Sequence, residues 1–163
     1  MTRILVISDT HVRTVQELPE GILQAVREAE WVVHCGDFVS IEVVDELQCS
    51  ARRFTGVYGN IDPIEVRNRL ASEVIFEVEG KRIAVLHPPW GGPPFGLEKE
   101  LVARFPDVDA ILFGHTHEPC NMILEGTLLL NPGQGYSSFM VSASTGILTI
   151  SKGELRGEIS TLD

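Results

Sequence analysis

Cysteine is scarce and unpaired in this sequence. Its 163 residues hold only Cys35, Cys49 and Cys120, none in a C-x-x-C pair. An odd count without paired spacing fits a reducing compartment better than a disulfide framework. Basic residues are also few, with 13 Lys and Arg against 23 Asp and Glu and a net charge of -10. That balance disfavours an extensive nucleic-acid-binding surface, whereas an acidic cleft suits cations, which an anionic substrate would then meet first. No apolar run approaches membrane-spanning length. Met1-Thr2-Arg3 leads directly into an apolar stretch too short for a signal segment, so a cytoplasmic protein with no membrane association is expected. No serine or cysteine stands in a setting that would make it a nucleophile. The remaining composition, 44% hydrophobic and 22% charged, is that of an ordinary globular protein, and the length suits one domain over residues 1–163.

The chain alternates apolar runs with helical periodicity. Residues 3–8 form a continuous apolar run, as in a strand covered on both faces, and end on Asp9-Thr10-His11. A helix follows over roughly 18–29, then a strand Trp31 to Cys35 that stops at Gly36-Asp37. His34 and Cys35 lie within that strand and read as packed residues. A helix over about 40–48 precedes a strand from Ala51 to Val57, which ends at Gly59-Asn60. Asp62, Pro63 and Glu65 have the order of a helix N-cap, first residue and capping-box partner, so the next helix is expected to start near 62.

From about residue 73 the period changes to two, with Val74, Phe76 and Val78 alternating with glutamates. Gly80-Lys81 turns the chain into a strand at 82–87 that stops on His87. Four of the nine prolines then occupy the loop 88–96, which is expected to be stiff. A helix at about 97–104 leads to Ile111-Leu112-Phe113 and to Gly114-His115-Thr116-His117. Two hairpins are expected next, one turning at Gly126. The other runs from Ser138 to Ala143, turns at Thr145-Gly146 and returns over Ile147 to Ser151. A polar strand from Leu155 to Ser160 is suited to a sheet edge. A βαβαβ half followed by a β-meander predicts an α/β fold of two mixed β-sheets packed face to face with helices on the outer faces, a four-layer αββα sandwich.

Asp9, His11, Asp37, Asn60, His87, His115 and His117 all lie just past strand ends. Taken singly, each has a plain structural reading: a turn, a cap, or for Asn60 a turn residue with positive φ. Taken together, four of the five histidines occupy one kind of position, the carboxyl edge where α/β sheets bind ligands. In an extended segment His115 and His117 would aim both imidazoles into one space. Seven oxygen and nitrogen ligands exceed the needs of one ion and suit two, with Asp37 as the bridge.

The ordered pattern Asp-x-His, Gly-Asp, Gly-Asn, His and Gly-His-x-His resembles the calcineurin-like metallophosphoesterases over nearly the whole chain. Asn131-Pro132-Gly133 and the short length are similar to its small bacterial and archaeal branch. The resemblance implies a metal-dependent phosphoesterase acting on a small phosphodiester or phosphomonoester. Asp9, His11, Asp37 and His117 would hold one divalent ion, and Asp37, Asn60, His87 and His115, the catalytic set, the other. Manganese is the first expectation, with nickel, iron, cobalt, zinc or magnesium also compatible. Two ions roughly 3.5–4 Å apart would clamp the phosphoryl oxygens and lower a water pKa to about 7, for in-line attack at phosphorus.

Two departures qualify this expectation. Many members of the wider superfamily carry a histidine after Gly-Asn that assists the leaving group; here the position is Ile61, so diesters and activated esters are the expected substrates. The branch reads His-Gly-His where this chain has His87-Pro88-Pro89, which restricts His87 to extended conformations. Trp90 and Phe95 either wall the metals and stack an aromatic group or pack the loop onto the body. The alternative function is a non-catalytic metal-binding scaffold or protein-interaction module of the same fold, like the retromer subunit that resembles this branch. A homo-oligomer is also possible, through an edge strand or the 90–96 loop.

Overall fold

The computed structural model describes residues 1–90 and 96–162. Strand β1 (Thr2–Ile7) explains its continuous apolar sequence by being covered on both faces. Ile4 and Val6 point into the space between two sheets, while Leu5 and Ile7 point outward beneath helices. Beside it run β2 (Val32–His34) and β3 (Phe54–Gly56), both parallel to their neighbours. On the other side β9 (Ala143–Ser151) and β10 (Glu154–Leu162) are antiparallel, giving the order β10-β9-β1-β2-β3.

The second sheet is built from β4 (Glu73–Val78), β5 (Lys81–Leu86), β6 (Ala110–Phe113), β7 (Cys120–Leu124) and β8 (Thr127–Asn131). Its order is β4-β5-β6-β8-β7, with parallel β5, β6 and β8 between antiparallel edges. Both sheets are therefore mixed, as expected. Val33, Cys35, Val85, Leu112, Leu130 and Ile150 pack between them as one buried cluster.

Helices α1 (Glu20–Glu28), α2 (Ile41–Ser50) and α3 (Ile64–Arg69) cover the outer face of the first sheet. They bury Ile22, Val26, Val43, Leu47 and Val66 against Leu5, Ile7 and Val32. Helix α4 (Leu97–Arg104) seats Leu97, Leu101 and Val102 on Ala84, Ile111 and Leu129 of the second sheet. The four layers αββα follow directly. Each outward apolar face of a sheet is matched by an amphipathic helix.

Three local expectations are corrected. Residues 138–142 are not a strand, and Thr145-Gly146 is not a turn. Strand β9 runs straight through both, because Gly146 pairs with Val6 on one side and Ile159 on the other. Paired neighbours on both edges satisfy its backbone, which removes the reason to turn. Helix α3 starts one residue later than expected, with Pro63 as its N-cap, and Asp62 does not cap it. The strand ending at Leu162 is the sheet edge that its polar alternation predicts. Phe95 lies outside the described residues, as does most of the proline-rich loop.

Candidate metal centre

All seven predicted residues converge at one edge of the sandwich. Asp9 and His11 follow β1, Asp37 follows β2 and Asn60 follows β3, so four come from the first sheet. His87 follows β5, and His115 and His117 follow β6, so three come from the second. The convergence is achieved by backbone kinks. Asp9, His11, Asp37, His115 and His117 all have positive φ, between 50° and 80°. Such conformations are uncommon for non-glycine residues and cluster at functional sites. His115 and His117 are therefore not an extended pair. His115 Nδ1 reaches Asn60 Oδ1 at 2.9 Å, while His117 Nε2 reaches Asp9 Oδ1 at 3.2 Å. Asn60 itself does not adopt positive φ.

Two glycines make room for these approaches. A Cβ on Gly59 would sit 2.0 Å from Asp37 Oδ1, and one on Gly114 would sit 2.0 Å from Ser8 Oγ. Gly114 is thus required for close packing against β1, rather than for a turn.

The charge arrangement at the centre is that of a cation site. Asp9 and Asp37 are buried, and His11 Nε2 lies 3.8 Å from Asp9 Oδ1 and 3.6 Å from Asp37 Oδ2. The His87 imidazole has Nδ1 2.8 Å from the Cys35 carbonyl, which can only accept, so Nδ1 carries the proton. In the neutral ring the Nε2 lone pair then points at Asn60 Oδ1, 3.0 Å away, and at Asp37 Oδ2, 3.3 Å away. Three acceptors facing one another at these distances call for a positive charge, supplied by a bound cation or, without one, by a second proton on the His87 ring.

The same holds at the other end. Gln134 Nε2 donates to the Tyr136 carbonyl at 2.8 Å, which turns Oε1 toward His117 Nδ1 at 3.1 Å. His117 therefore donates from Nδ1 and presents the Nε2 lone pair to Asp9 Oδ1. Asp9 Oδ1 and His11 Nε2 are the two buried side-chain atoms without a hydrogen-bond partner among the described residues. A buried, unpaired carboxylate oxygen is costly unless a cation completes it. The donor set, the facing lone pairs and these two orphaned atoms fit divalent metal ions.

Protons respond to the same field. Burial opposes ionisation of Asp9, yet His11, His117, His87 and Ser8 around it hold its carboxyl well below the usual range. Burial likewise works against the Asp37 carboxylate, and the His87 ring and the Ile61 N–H outweigh it, lowering the pKa. Burial disfavours charge on His87, but Asp37 and Asp9 raise its pKa overall. The contact with Asp9 raises that of His117, and burial together with the His87 charge lowers that of His115.

Several supporting residues were not legible as functional. Ser8 Oγ–H and the His115 N–H both donate to Asp9 Oδ2, at 2.6 and 3.0 Å, leaving Oδ1 to face the centre. Asp62, expected as a helix cap, instead accepts from the N–H groups of Asp37, Val39 and Gly59 and ties the two loops together. Burial raises its pKa. Gln134, immediately after the Asn131-Pro132-Gly133 motif, gave no sequence signal beyond that proximity. The expected restriction at His87-Pro88-Pro89 does not displace His87, which is buried within the cluster. His34 is a packed residue as expected, stacked on Phe38 with ring centroids 3.6 Å apart.

Residues 2–153 match the calcineurin-like phosphoesterase superfamily domain. A probable metallophosphoesterase of Methanothermobacter thermautotrophicus is 34% identical over 166 residues, covering 94% of this chain and 89% of that protein. The solution structure of Thermotoga maritima protein TM1076 superimposes with a TM-score of 0.77 at 36% identity, covering 99% of this chain and all of the other. Vps29 from Entamoeba histolytica, solved in complex with zinc, has the same fold, with a TM-score of 0.75 at 24% identity over 98% of this chain and 99% of that one. A phosphoric ester hydrolase is the activity that the matched family supports. The chain belongs to the calcineurin-like phosphoesterase superfamily.

Proposed function

We propose that this protein is a phosphodiesterase dependent on two divalent metal ions, with manganese as the first candidate. The observation that carries the reading is the gathering of Asp9, Asp37, Asn60, His11, His87 and His117 at one site, where His87 and His117 commit their Nδ1 protons to the Cys35 carbonyl and Gln134, and Asp9 Oδ1 and His11 Nε2 have no hydrogen-bond partner. Asp9, His11, Asp37 and His117 would hold one ion, and Asp37, Asn60, His87 and His115 the other. When bound, such ions supply Lewis acidity to phosphoryl oxygens and bring the pKa of water from about 15.7 toward about 7.

The chain's own residues prepare that chemistry. The Cys35 carbonyl and Gln134 fix the imidazole tautomers, and Ser8 with the His115 N–H aims Asp9 Oδ1 inward. Ile61 stands half-exposed at the rim, and its N–H donates to Asp37 Oδ1 at 3.1 Å. Its side chain has no proton to offer a departing oxygen. Esters whose alcohol leaves without protonation, including activated diesters, are accordingly favoured over alkyl monoesters. The fold is shared with Vps29, itself solved in complex with zinc, so a metal-binding scaffold is the second reading, and turnover is what separates the two.

The test is hydrolysis of bis-p-nitrophenyl phosphate beside p-nitrophenyl phosphate, using metal-stripped protein reloaded with manganese, nickel or zinc. Metal-dependent turnover, faster on the diester and abolished in Asp37→Ala, is expected. Stoichiometric metal binding without turnover on either ester would reject the hydrolase and favour the scaffold.

A further inference from the structure

Beside Asn60 and His87 the rim opens into a cavity of about 430 Å³, within the usual range for small-molecule pockets. Its walls include Tyr58, Trp90, Arg67 and Arg104. The Trp90 indole is 45% exposed, an unusual state for a large apolar ring at the edge of a polar cluster. The other tryptophan shows the contrast. Trp31 is buried, packed on Phe76 and hydrogen-bonded to Thr55 Oγ1 at 3.1 Å, so its role is structural.

The charges lining the cavity also run against the composition of the chain. Arg67 and Arg104 face the single carboxylate of Glu73, a local excess of positive charge in a protein of net charge -10. Arg67 donates to the Asp62 and Asn60 carbonyls, at 2.7 and 2.6 Å, and so braces the turn that presents Asn60. Arg104 lies 5.3 Å from the Trp90 ring centroid while pairing with Glu73 at 2.8 Å.

We propose that this cavity receives a flat aromatic arm, a nucleobase or an aryl ring, of the phosphate ester held at the metal centre, stacked on Trp90. The inference rests on the phosphoesterase reading and adds a substrate class to it. Stacking on an aromatic ring is tolerant of ring identity, whereas the two guanidinium groups favour an anion anchored beside it.

The experiment measures calorimetric affinities of metal-loaded protein for AMP, phenyl phosphate and ribose 5-phosphate, with acrylamide quenching of Trp90 fluorescence as the local readout. Trp31 is shielded from the quencher by burial. AMP and phenyl phosphate are expected to bind about tenfold more tightly than ribose 5-phosphate and to protect Trp90. Trp90→Ala should remove that advantage and leave ribose 5-phosphate unaffected, and Trp90→Phe should keep most of it. AMP ahead of phenyl phosphate would mark a nucleobase arm, and the reverse order an aryl arm. Equal binding of all three ligands, or equal weakening of all three in Trp90→Ala, would overturn the proposal. Hydrolysis of bis-p-nitrophenyl phosphate, followed in parallel, separates the two readings. Turnover without the aromatic preference rejects the cavity assignment alone, and the preference without turnover rejects the hydrolase alone.

Discussion

Replacing Gln134 by alanine should weaken metal binding without removing a ligand. Gln134 is buried, and its amide is oriented by donation to the Tyr136 carbonyl and Ser138 Oγ, so Oε1 has one partner, His117 Nδ1. In Gln134→Ala that acceptor is gone, and the imidazole is free to carry its proton on Nε2, where it faces Asp9 Oδ1. A neutral hydrogen bond contributes about 0.5–1.5 kcal/mol, and it strengthens as a metal draws charge from the ring. Loss of such a partner typically costs about 10- to 100-fold in metal affinity, or roughly 1.4–2.7 kcal/mol. If the proposed two-ion centre holds, calorimetric titration of chelator-stripped protein with manganese should show this loss at one of the two sites. The ring nitrogen shifts of His117 in metal-free protein should move from the Nδ1–H to the Nε2–H pattern. Unchanged affinity together with an unchanged tautomer would refute the reasoning, because either alone requires Gln134 to set the proton position.

Four shorter predictions follow from the same geometry. In Gly59→Ala the new methyl would meet Asp37 Oδ1 at 2.0 Å and its backbone nitrogen at 2.5 Å, so metal binding should fall at least tenfold, read by calorimetry, with the circular dichroism spectrum retained. Asp62→Ala strands the N–H groups of Asp37, Val39 and Gly59, and urea unfolding should show a loss of about 3 kcal/mol or more. Burial pushes His34 down to about 3, so below pH 6.5 the unfolded chain takes up a proton that the fold refuses. Metal-free protein should lose about 1.4 kcal/mol per pH unit between pH 6 and 4.5, and His34→Gln should flatten that slope. Removing bound metal with a chelator should lower the Tm by about 10 °C for each ion that was present at about a thousand times its Kd, as scanning calorimetry would show.

The sheets and the seven converging residues were legible because apolar runs that stop abruptly on Asp, Asn or His leave few readings. β1 declares its two covered faces by having no polar alternation, and β4 declares its one covered face by alternating glutamate with valine and phenylalanine. The turn at Thr145-Gly146 was misread because glycine punctuates most strands. Here two neighbouring strands satisfy its backbone, and a Cβ at this position would meet Val6, Leu130 and Pro132 only at an ordinary contact distance of 3.5 Å, so the glycine does not mark a turn. Asp62 was misread because a cap and a loop tie have the same local sequence and differ only in which distant N–H groups arrive. The left-handed backbones at Asp9, His11 and Asp37 have no sequence signature at all, since they are imposed by packing between loops. Gln134 is silent for a similar reason. Its partner, His117, lies 17 residues earlier and is brought to it by the pairing of β6 with β8.

The division of the seven residues between two sheets sets an order of events for a chain leaving the ribosome. When the first sixty residues have emerged, Asp9, His11, Asp37 and Asn60 are available, but the histidines that face them belong to strands not yet made. The hydrogen bond from the His115 N–H to Asp9 joins residues 106 apart and forms only when the two sheets close on each other. On the proposed two-ion reading, the full ligand set exists only after assembly, so a bound ion would act as a clasp on a finished seam. The hydrophobic layer between the sheets must bring the two rims into register unaided, and any core change that slides one sheet past the other will be felt first at the rim.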